Sequence, residues 1–246
     1  MGKERLDTRL VALGLAATRS RARDLIQRGF VSVNGKVCDK PGREVDEAAG
    51  LIVSDAAPAY VSRGAEKLAA ALQRYQFPVA QRTALDVGAS TGGFTEVLLE
   101  HGARKVYAVD VGTAQLHPSL RSDPRVVLLE QQDARTLTRD VVADPIHMIV
   151  ADVSFISLIK VLPAALALAA PGCWLVALIK PQFEAGPSLV GKGGIVKDAA
   201  VRRAAVEAIE AFMAAQPGWR VIGTMPSPIP GGSGNQEFLL GARRDA

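Results

Sequence analysis

Ala84-Leu-Asp-Val-Gly-Ala-Ser-Thr-Gly-Gly-Phe-Thr-Glu96 is the stretch on which the fold turns. Apolar residues lead into Asp86, a glycine-rich turn follows with Gly88, Gly92 and Gly93, and Phe94–His101 has the pattern of an amphipathic helix. Strand, tight turn and helix follow one another, and glycines at such a turn let the backbone come close to a ligand. The next strand, Lys105–Val109, runs into Asp110, which lies 22 residues after Gly88. An acid at that place in a βαβ unit is positioned to accept both hydroxyls of a ribose.

The glycine spacing is Gly-x-x-x-Gly-Gly rather than Gly-x-Gly-x-x-Gly, a poor match to a dinucleotide fingerprint. Asp-x-Gly-x-x-x-Gly-Gly-Phe with a later acid resembles the cofactor loop of S-adenosylmethionine (SAM) methyltransferases. The resemblance implies SAM as cofactor, held by Asp86, Gly88, Ser90, Gly92, Gly93, Phe94 and Asp110. The bland alternative is a glycine-rich turn in another α/β domain.

The chain has 246 residues, enough for one good-sized domain and a small one, and its 48% hydrophobic content supports a sizeable core. Cys38 and Cys173 are too few for a disulfide framework. His101, His117 and His147 form no metal-ligand spacing with them, so no metal is expected. The charged start, Met-Gly-Lys-Glu-Arg, does not read as a signal peptide. A cytoplasmic protein is expected. Charge is uneven: residues 1–43 hold ten Lys/Arg against four Asp/Glu, and the rest of the chain is near neutral. A basic end on a neutral body points to a polyanion such as nucleic acid, against the bland reading of a solvated surface.

Val161–Ile179 is 19 residues without a charge, long enough to suggest a membrane span. Pro163 and Pro171-Gly172 interrupt it, so a buried helix over Ala164–Ala169 and a central strand over Cys173–Ile179 are expected instead, and no membrane partner. Strands of a parallel sheet covered on both faces are uniformly apolar.

At the N-terminus, Leu6, Leu10 and Leu13 share a face of a helix expected over Arg5–Leu13. A second helix, capped by Thr18 or Ser20, runs to Arg28. Phe30–Val33 alternates as a strand, Asn34-Gly35 is a hairpin turn, and Leu51–Val53 is a further short strand. Arg5-Leu-Asp followed by Ser20-Arg-Ala-Arg-Asp-Leu-Ile-Gln-Arg-Gly-Phe-Val-Ser-Val-Asn-Gly-Lys36 resembles an S4 RNA-binding domain. That likeness implies RNA contacts at Arg5, Arg19, Arg21, Arg23, Arg28 and Lys36, of the phosphate type that positions rather than specifies. The expected domains are 1–58 for the S4 module and 59–246 for the rest, with a linker over Asp55–Ser62.

A helix over Arg63–Tyr75 carries Lys67. Further strands are expected at Val126–Glu130, His147–Ala151, Trp174–Ile179, Trp219–Met225 and Gln236–Gly241, with a helix capped by Asp198 and a glycine-rich loop over Gln182–Val196. Asp133, just after the third strand, suits an adenine amine or a loop cap. Ligands of an open parallel sheet sit beyond the carboxyl ends of the strands. Asp86, Asp110, Asp152 and Lys180 all lie at such ends, and an antiparallel last strand brings Glu237 to the same edge. Asp152, Lys180 and Glu237 are therefore expected to converge, with Lys180 between two acids. An ion-pair network would account for that set structurally; the adjacent cofactor loop favours catalysis.

Lys67, Asp152, Lys180 and Glu237 resemble the Lys-Asp-Lys-Glu tetrad of FtsJ/RrmJ-type RNA ribose 2′-O-methyltransferases. Nearly the whole chain is similar to the TlyA family, an S4 domain fused to an FtsJ-like methyltransferase. The match is carried by Val61-Ser-Arg-Gly-Ala-Glu-Lys67, Asp86–Phe94, Ala151-Asp-Val-Ser-Phe-Ile-Ser157, Lys180-Pro-Gln-Phe-Glu184, Gly194-Ile-Val-Lys-Asp198 and Gly234-Asn-Gln-Glu-Phe-Leu-Leu240. The likeness implies a Rossmann-like α/β fold of seven strands, the last antiparallel. It also implies methylation of a cytidine 2′-hydroxyl in ribosomal RNA, with ribosomal RNA or subunits as partners. Lys180 would be the base or a deprotonation aid, Asp152 would orient Lys180 or the hydroxyl and also contact the cofactor, and Lys67 and Glu237 would fix the ribose. Three rival readings stand beside it, one of them an RNA-binding adaptor with an inactive methyltransferase domain, which the presence of all four tetrad residues disfavours. Another is an S4-containing pseudouridine synthase, which has no use for SAM. The third is a membrane-active haemolysin, a label attached to TlyA-like sequences. Nothing in the sequence fixes the oligomeric state.

Overall fold

The computed structural model describes residues 2–16, 18–57, 60–231 and 234–245, Ser20 by its backbone alone. Pro58 and Ala59 of the expected linker, Gly232 and Ser233 of the loop before the last strand, and the Ser20 cap lie outside that description. The chain divides into two compact units, Met1–Arg63 and Gly64–Ala246.

The first unit contains β1 (Lys3–Arg5), α1 (Leu6–Ala12), α2 (Arg19–Gln27), β2 (Val31–Val33), β3 (Lys36–Val37), β4 (Glu44–Asp46) and β5 (Leu51–Val53). β1 pairs with β4, and β3-β2-β5 form a second antiparallel sheet. Leu6, Leu10, Leu25, Ile26, Val31 and Val45 make the core. The Thr18 side chain caps α2 by accepting from Arg21 N. Asn34 and Gly35 both have positive φ, as the tight hairpin turn requires. The expected helix over Arg5–Leu13 needs correction at its start, because Lys3–Arg5 is extended. The chain turns helical only where Leu6 N donates to Arg43 O and Asp7 N to Pro41 O. Those amides begin a helix and have no partner within it, so the distant 41–43 segment sets the boundary.

The second unit contains α3 (Gly64–Tyr75), β6 (Thr83–Val87), α4 (Gly93–Glu100), β7 (Lys105–Val109), α5 (Pro118–Arg121), β8 (Val126–Leu129), β9 (Ile146–Ala151), α6 (Leu158–Ala167), β10 (Ala169–Ile179), α7 (Pro181–Glu184), α8 (Ala199–Ala214), β11 (Trp219–Pro226) and β12 (Phe238–Arg244). One seven-stranded sheet runs β11-β12-β10-β9-β6-β7-β8. β8, β7, β6, β9 and β10 are parallel, and β12 lies antiparallel between β10 and β11. This is the expected α/β sheet with its last strand reversed.

The uncharged 161–179 segment divides differently from expectation. α6 begins at Leu158, capped by the Ser157 side chain, and Pro163 lies inside it. β10 begins at Ala169 and takes in Pro171-Gly172, where its register with β9 shifts. The pairing of Ala169 with Ile146 of β9 carries the strand back past the local proline signal, while the β12 ladder begins only at Trp174. Among the described residues no helix is long and apolar enough to cross a membrane. The 182–196 loop is also not wholly irregular: α7 fills its start, with Pro181 in the first helical turn, where its missing N–H costs nothing.

Tyr75 fixes the end of α3 on the sheet, its one hydroxyl proton shared between Gly223 O at 3.0 Å and Leu239 O at 2.8 Å. Gly241 is required beneath it, because a Cβ there would come 2.8 Å from the tyrosine ring. This docking sets α3, and therefore Lys67, against the strand that follows Glu237.

Candidate active site

The turn after β6 is held by backbone geometry. Gly88 has φ +85°, and a Cβ on it would sit 2.5 Å from Asp152 O, so only glycine allows this turn and the end of β9 to approach so closely. Gly92 has φ +103° and caps α4 in a left-handed conformation. The Asp110 carboxylate, at the end of β7, accepts from Ser90 N at 2.8 Å and Gly112 N at 2.7 Å, clamping two loops together.

These loops open onto a cavity of about 430 Å³ lined by Gly88, Ser90, Asp110, Asp133 and Asp152, with Val109, Val111 and Val153 among its apolar walls. Asp133 caps the short turn 134–136 through Arg135 N and pairs with the Arg135 guanidinium at 2.6 Å. Asp86, Gly92, Gly93 and Phe94 are not among the lining residues. Asp86 is fully buried, accepting from Thr95 Oγ1 at 2.7 Å. Burial, reinforced by the Asp152 and Asp110 charges against the opposing Thr95 hydrogen bonds, pushes its carboxyl up to about 7. A cavity of this size with apolar walls and a carboxylate at the ribose position fits an adenosine-bearing cofactor.

Beside the cavity lie two lysine–carboxylate pairs. Lys180 Nζ is 2.7 Å from Asp152 Oδ1 and donates to Ser154 Oγ at 2.8 Å. Lys67 Nζ donates to Glu237 Oε2 at 2.5 Å, both side chains being nearly inaccessible. Gln182 Nε2 is 3.5 Å from Glu237 Oε1, so the first turn of α7 joins the pairs. The expectation of Lys180 between two acids is corrected here: each acid has its own lysine. Burying one lysine with one acid leaves no net charge to desolvate, whereas two acids on one lysine would.

Several neighbours escaped the sequence reading. Phe155, 90% exposed at φ +65°, packs its ring 5.0 Å from that of Phe183. Glu184 accepts from Ser157 Oγ at 2.5 Å and Leu158 N at 2.9 Å, tying α7 to the start of α6. Burial raises its carboxyl above the usual range against those two hydrogen bonds. The buried Asn235 accepts from Val196 N at 2.9 Å and donates to Gly194 O at 2.8 Å, tethering the glycine-rich loop beside Glu237. The Lys180-Pro-Gln-Phe-Glu run was the one sequence signal that held Gln182, Phe183 and Glu184 together. Cys173 is fully buried, and burial pushes its thiol up to about 12, far from a nucleophile.

In the first unit the six basic residues singled out from the sequence fall into three settings. Arg23 and Lys36 are exposed. Arg5 and Arg19 both pair with Asp7, at 2.9 and 3.2 Å, while keeping about half their side chains open. Burial would push the Asp7 carboxyl up, but hydrogen bonds from Arg5 and Arg19 hold it below the usual range. Arg21 and Arg28 pair with the buried Asp24, at 3.3 and 3.7 Å, as does Arg63 at 3.2 Å.

Residues 60–244 match the FtsJ-like methyltransferase model and residues 4–50 the S4 domain model. The chain is 48% identical to a Mycobacterium tuberculosis protein named 16S/23S rRNA (cytidine-2′-O)-methyltransferase TlyA, over 98% of this chain and 90% of the relative. It is 42% identical to Hemolysin A of Brachyspira hyodysenteriae, over 96% and 98%. A solved Streptococcus thermophilus structure that carries a hemolysin name superposes with TM-score 0.79 at 42% identity, covering 100% of this chain and 90% of that one.

Proposed function

The chain belongs to the FtsJ-like methyltransferase family, and on that premise we propose that it methylates the ribose 2′-hydroxyl of cytidine in ribosomal RNA, with SAM as methyl donor. The observation that carries the reading is the Lys180–Asp152 pair at 2.7 Å, whose aspartate also lines the cavity closed by Gly88 and Asp110. When bound, SAM supplies an electrophilic methyl group. Asp110 would hold its ribose, and the Gly88–Ser90 turn would follow its backbone-facing side.

A ribose hydroxyl is a weak nucleophile at neutral pH, and its proton must leave as the carbon–oxygen bond forms. Lys180 stands as the base that takes that proton, and Asp152 at 2.7 Å from its Nζ orients the amine and balances its charge. Ser154 fixes the direction of the lysine. The nearly inaccessible Lys67–Glu237 pair would brace the wall against which the target ribose sits rather than touch it, and Phe155 offers a flat exposed ring to its base. Cytosine ring and aromatic side chain need no sequence-specific hydrogen bond to stack.

In this proposal residues 1–58 form the RNA-binding module and 59–246 the catalytic one. Arg23 and Lys36, with the open halves of Arg5 and Arg19, supply phosphate contacts. Arg21 and Arg28 chiefly hold Asp24. The reaction belongs in the cytoplasm, where ribosomal subunits are the partner. Mass mapping of ribosomal RNA after incubation with the purified protein and SAM tests the reading. A cytidine gaining about 14 mass units on its ribose, one methylene, is expected. Ribosomal RNA with no new ribose methylation, as free RNA or in subunits, would overturn it.

A further inference from the structure

The site occupies the edge of the sheet where the parallel strands end. The opposite edge, where they begin, carries a concentration of arginine that the reaction does not use. Arg82 and Arg104 immediately precede β6 and β7. His147 lies at the start of β9, and burial together with Arg82 and Arg104 holds its imidazole below the usual range. Arg243 and Arg244 end β12, and Arg220 begins β11. None of these five arginines has a carboxylate within ion-pair distance among the described residues. Arg104 donates to Thr83 Oγ1 at 3.0 Å and Arg244 to Ala169 O, both neutral acceptors. Asp144, on the same edge, is already taken up by Lys105 at 2.6 Å and Tyr107 at 2.7 Å.

The register sharpens the point. Arg220 and Arg243 are directly opposed on adjacent antiparallel strands, so their exposed side chains share one face. Like charges directly opposite one another destabilise a strand pair. Three arginines elsewhere in this unit do have acids at hand: Arg121 with Glu130 at 2.7 Å, Arg125 with Asp123 at 2.7 Å, Arg135 with Asp133 at 2.6 Å. An edge that keeps two opposed arginines with no carboxylate at ion-pair distance of either is suited to an anion brought from outside. With strands rising about 3.3 Å per residue, it lies roughly 20 Å from the site.

Resting on the RNA-methyltransferase reading above, we infer that this arginine edge is a second RNA-contacting surface, holding phosphates of the substrate several nucleotides away from the modified ribose. The contact is electrostatic and carries no sequence preference. It enlarges the footprint on structured RNA without touching the chemistry.

Two double variants test it, Arg220→Gln with Arg243→Gln and Arg82→Gln with Arg104→Gln. Affinity for ribosomal subunits and for the RNA extracted from them is measured across a salt series, with melting temperature and SAM affinity on the same preparations. The first pair is expected to melt no lower than wild type, since a repulsion has been removed. Both pairs should keep SAM affinity and bind RNA more weakly. The slope of log affinity against log salt should become shallower by about 1.4–1.8 for two lost phosphate contacts. Unchanged affinity and slope in both pairs, while wild type methylates the RNA, would overturn the edge alone. Wild-type protein that neither binds nor methylates the RNA would overturn the functional reading beneath it. If the variants instead lose binding only to phosphatidylcholine–phosphatidylserine vesicles, the edge faces lipid and the proposal fails.

Discussion

Lys67 and Glu237 stand 170 positions apart in the chain and meet at 2.5 Å in a nearly inaccessible ion pair. A Cβ on Gly231 would run into the Glu237 carboxylate, so glycine at 231 leaves the space the acid occupies. α3 and the last strand are thereby joined by charge as well as by Tyr75. Glu237→Gln should lower stability by about 3–5 kcal/mol, because an uncompensated buried ammonium remains. The double variant Lys67→Met with Glu237→Leu should recover most of that loss and stay inactive. Chemical denaturation and single-turnover methylation of the same proteins check both parts. Recovery of methylation with stability would assign the pair to folding alone.

Lys180→Met keeps the length of the side chain and removes the amine. Methyl transfer should fall by about 10²–10⁴-fold, the range for a positioned base. Melting temperature and SAM affinity should stay near wild type, since Lys180 also loses only a partly exposed ion pair. Near wild-type single-turnover rates in a folded Lys180→Met protein would remove Lys180 from the mechanism.

Asp110→Ala takes away a carboxylate that braces Ser90 and Gly112 as well as the proposed acceptor for the cofactor ribose. Hydrogen bonds to a charged group contribute about 1.5–3 kcal/mol. SAM affinity, read by calorimetry, should therefore drop roughly ten- to a hundredfold. An Asp110→Asn protein should recover part of that loss. If Asp110→Ala titrates like wild type, the ribose lies elsewhere.

Asp86 predicts a pH dependence. Its carboxyl is raised by burial to about 7 in the folded chain, against 3.8 as the ordinary value. Between those values the folded state holds a proton that the unfolded state has released. Stability from this group is therefore full below about pH 4 and is lost as pH rises through 7. Each pH unit between the two values corresponds to about 1.4 kcal/mol. Asp86→Asn should abolish this slope and make the protein relatively more stable than wild type at pH 8 than at pH 5. Melting curves across that range measure it. Parallel profiles for the two proteins would show that Asp86 does not titrate there.

What the sequence made legible was local. Gly88, Asp110 and the Asp198 cap announce themselves through short-range backbone needs, and the alternation of strands and helices gave the α/β sheet with its reversed last strand. Partners separated in the chain were not legible. Glu237 and Asp152 could both be brought to one edge, but which lysine each would take depends on how Tyr75 docks α3. The strand at Lys3–Arg5 exists because Glu44–Asp46 lies beside it, and no pattern within three residues could reveal that. α7 is too short to leave a periodicity. Asp24 reads as one charge on a basic helix, yet it is the buried acid on which Arg21, Arg28 and Arg63 meet.

Asn235 makes the two halves of the long loop after α7 unequal. Its side chain fastens Gly194 and Val196 to the segment that carries Glu237, while residues 185–190 have no such tie through Asn235. Extra residues inserted before Gly191 would lengthen a free arm and leave the acid where it is. The same insertion between Val196 and Asp198 would pull directly on Glu237 and on the α8 cap. Natural variation in loop length, or an engineered affinity tag, therefore has one tolerant doorway into this region, and it opens on the α7 side.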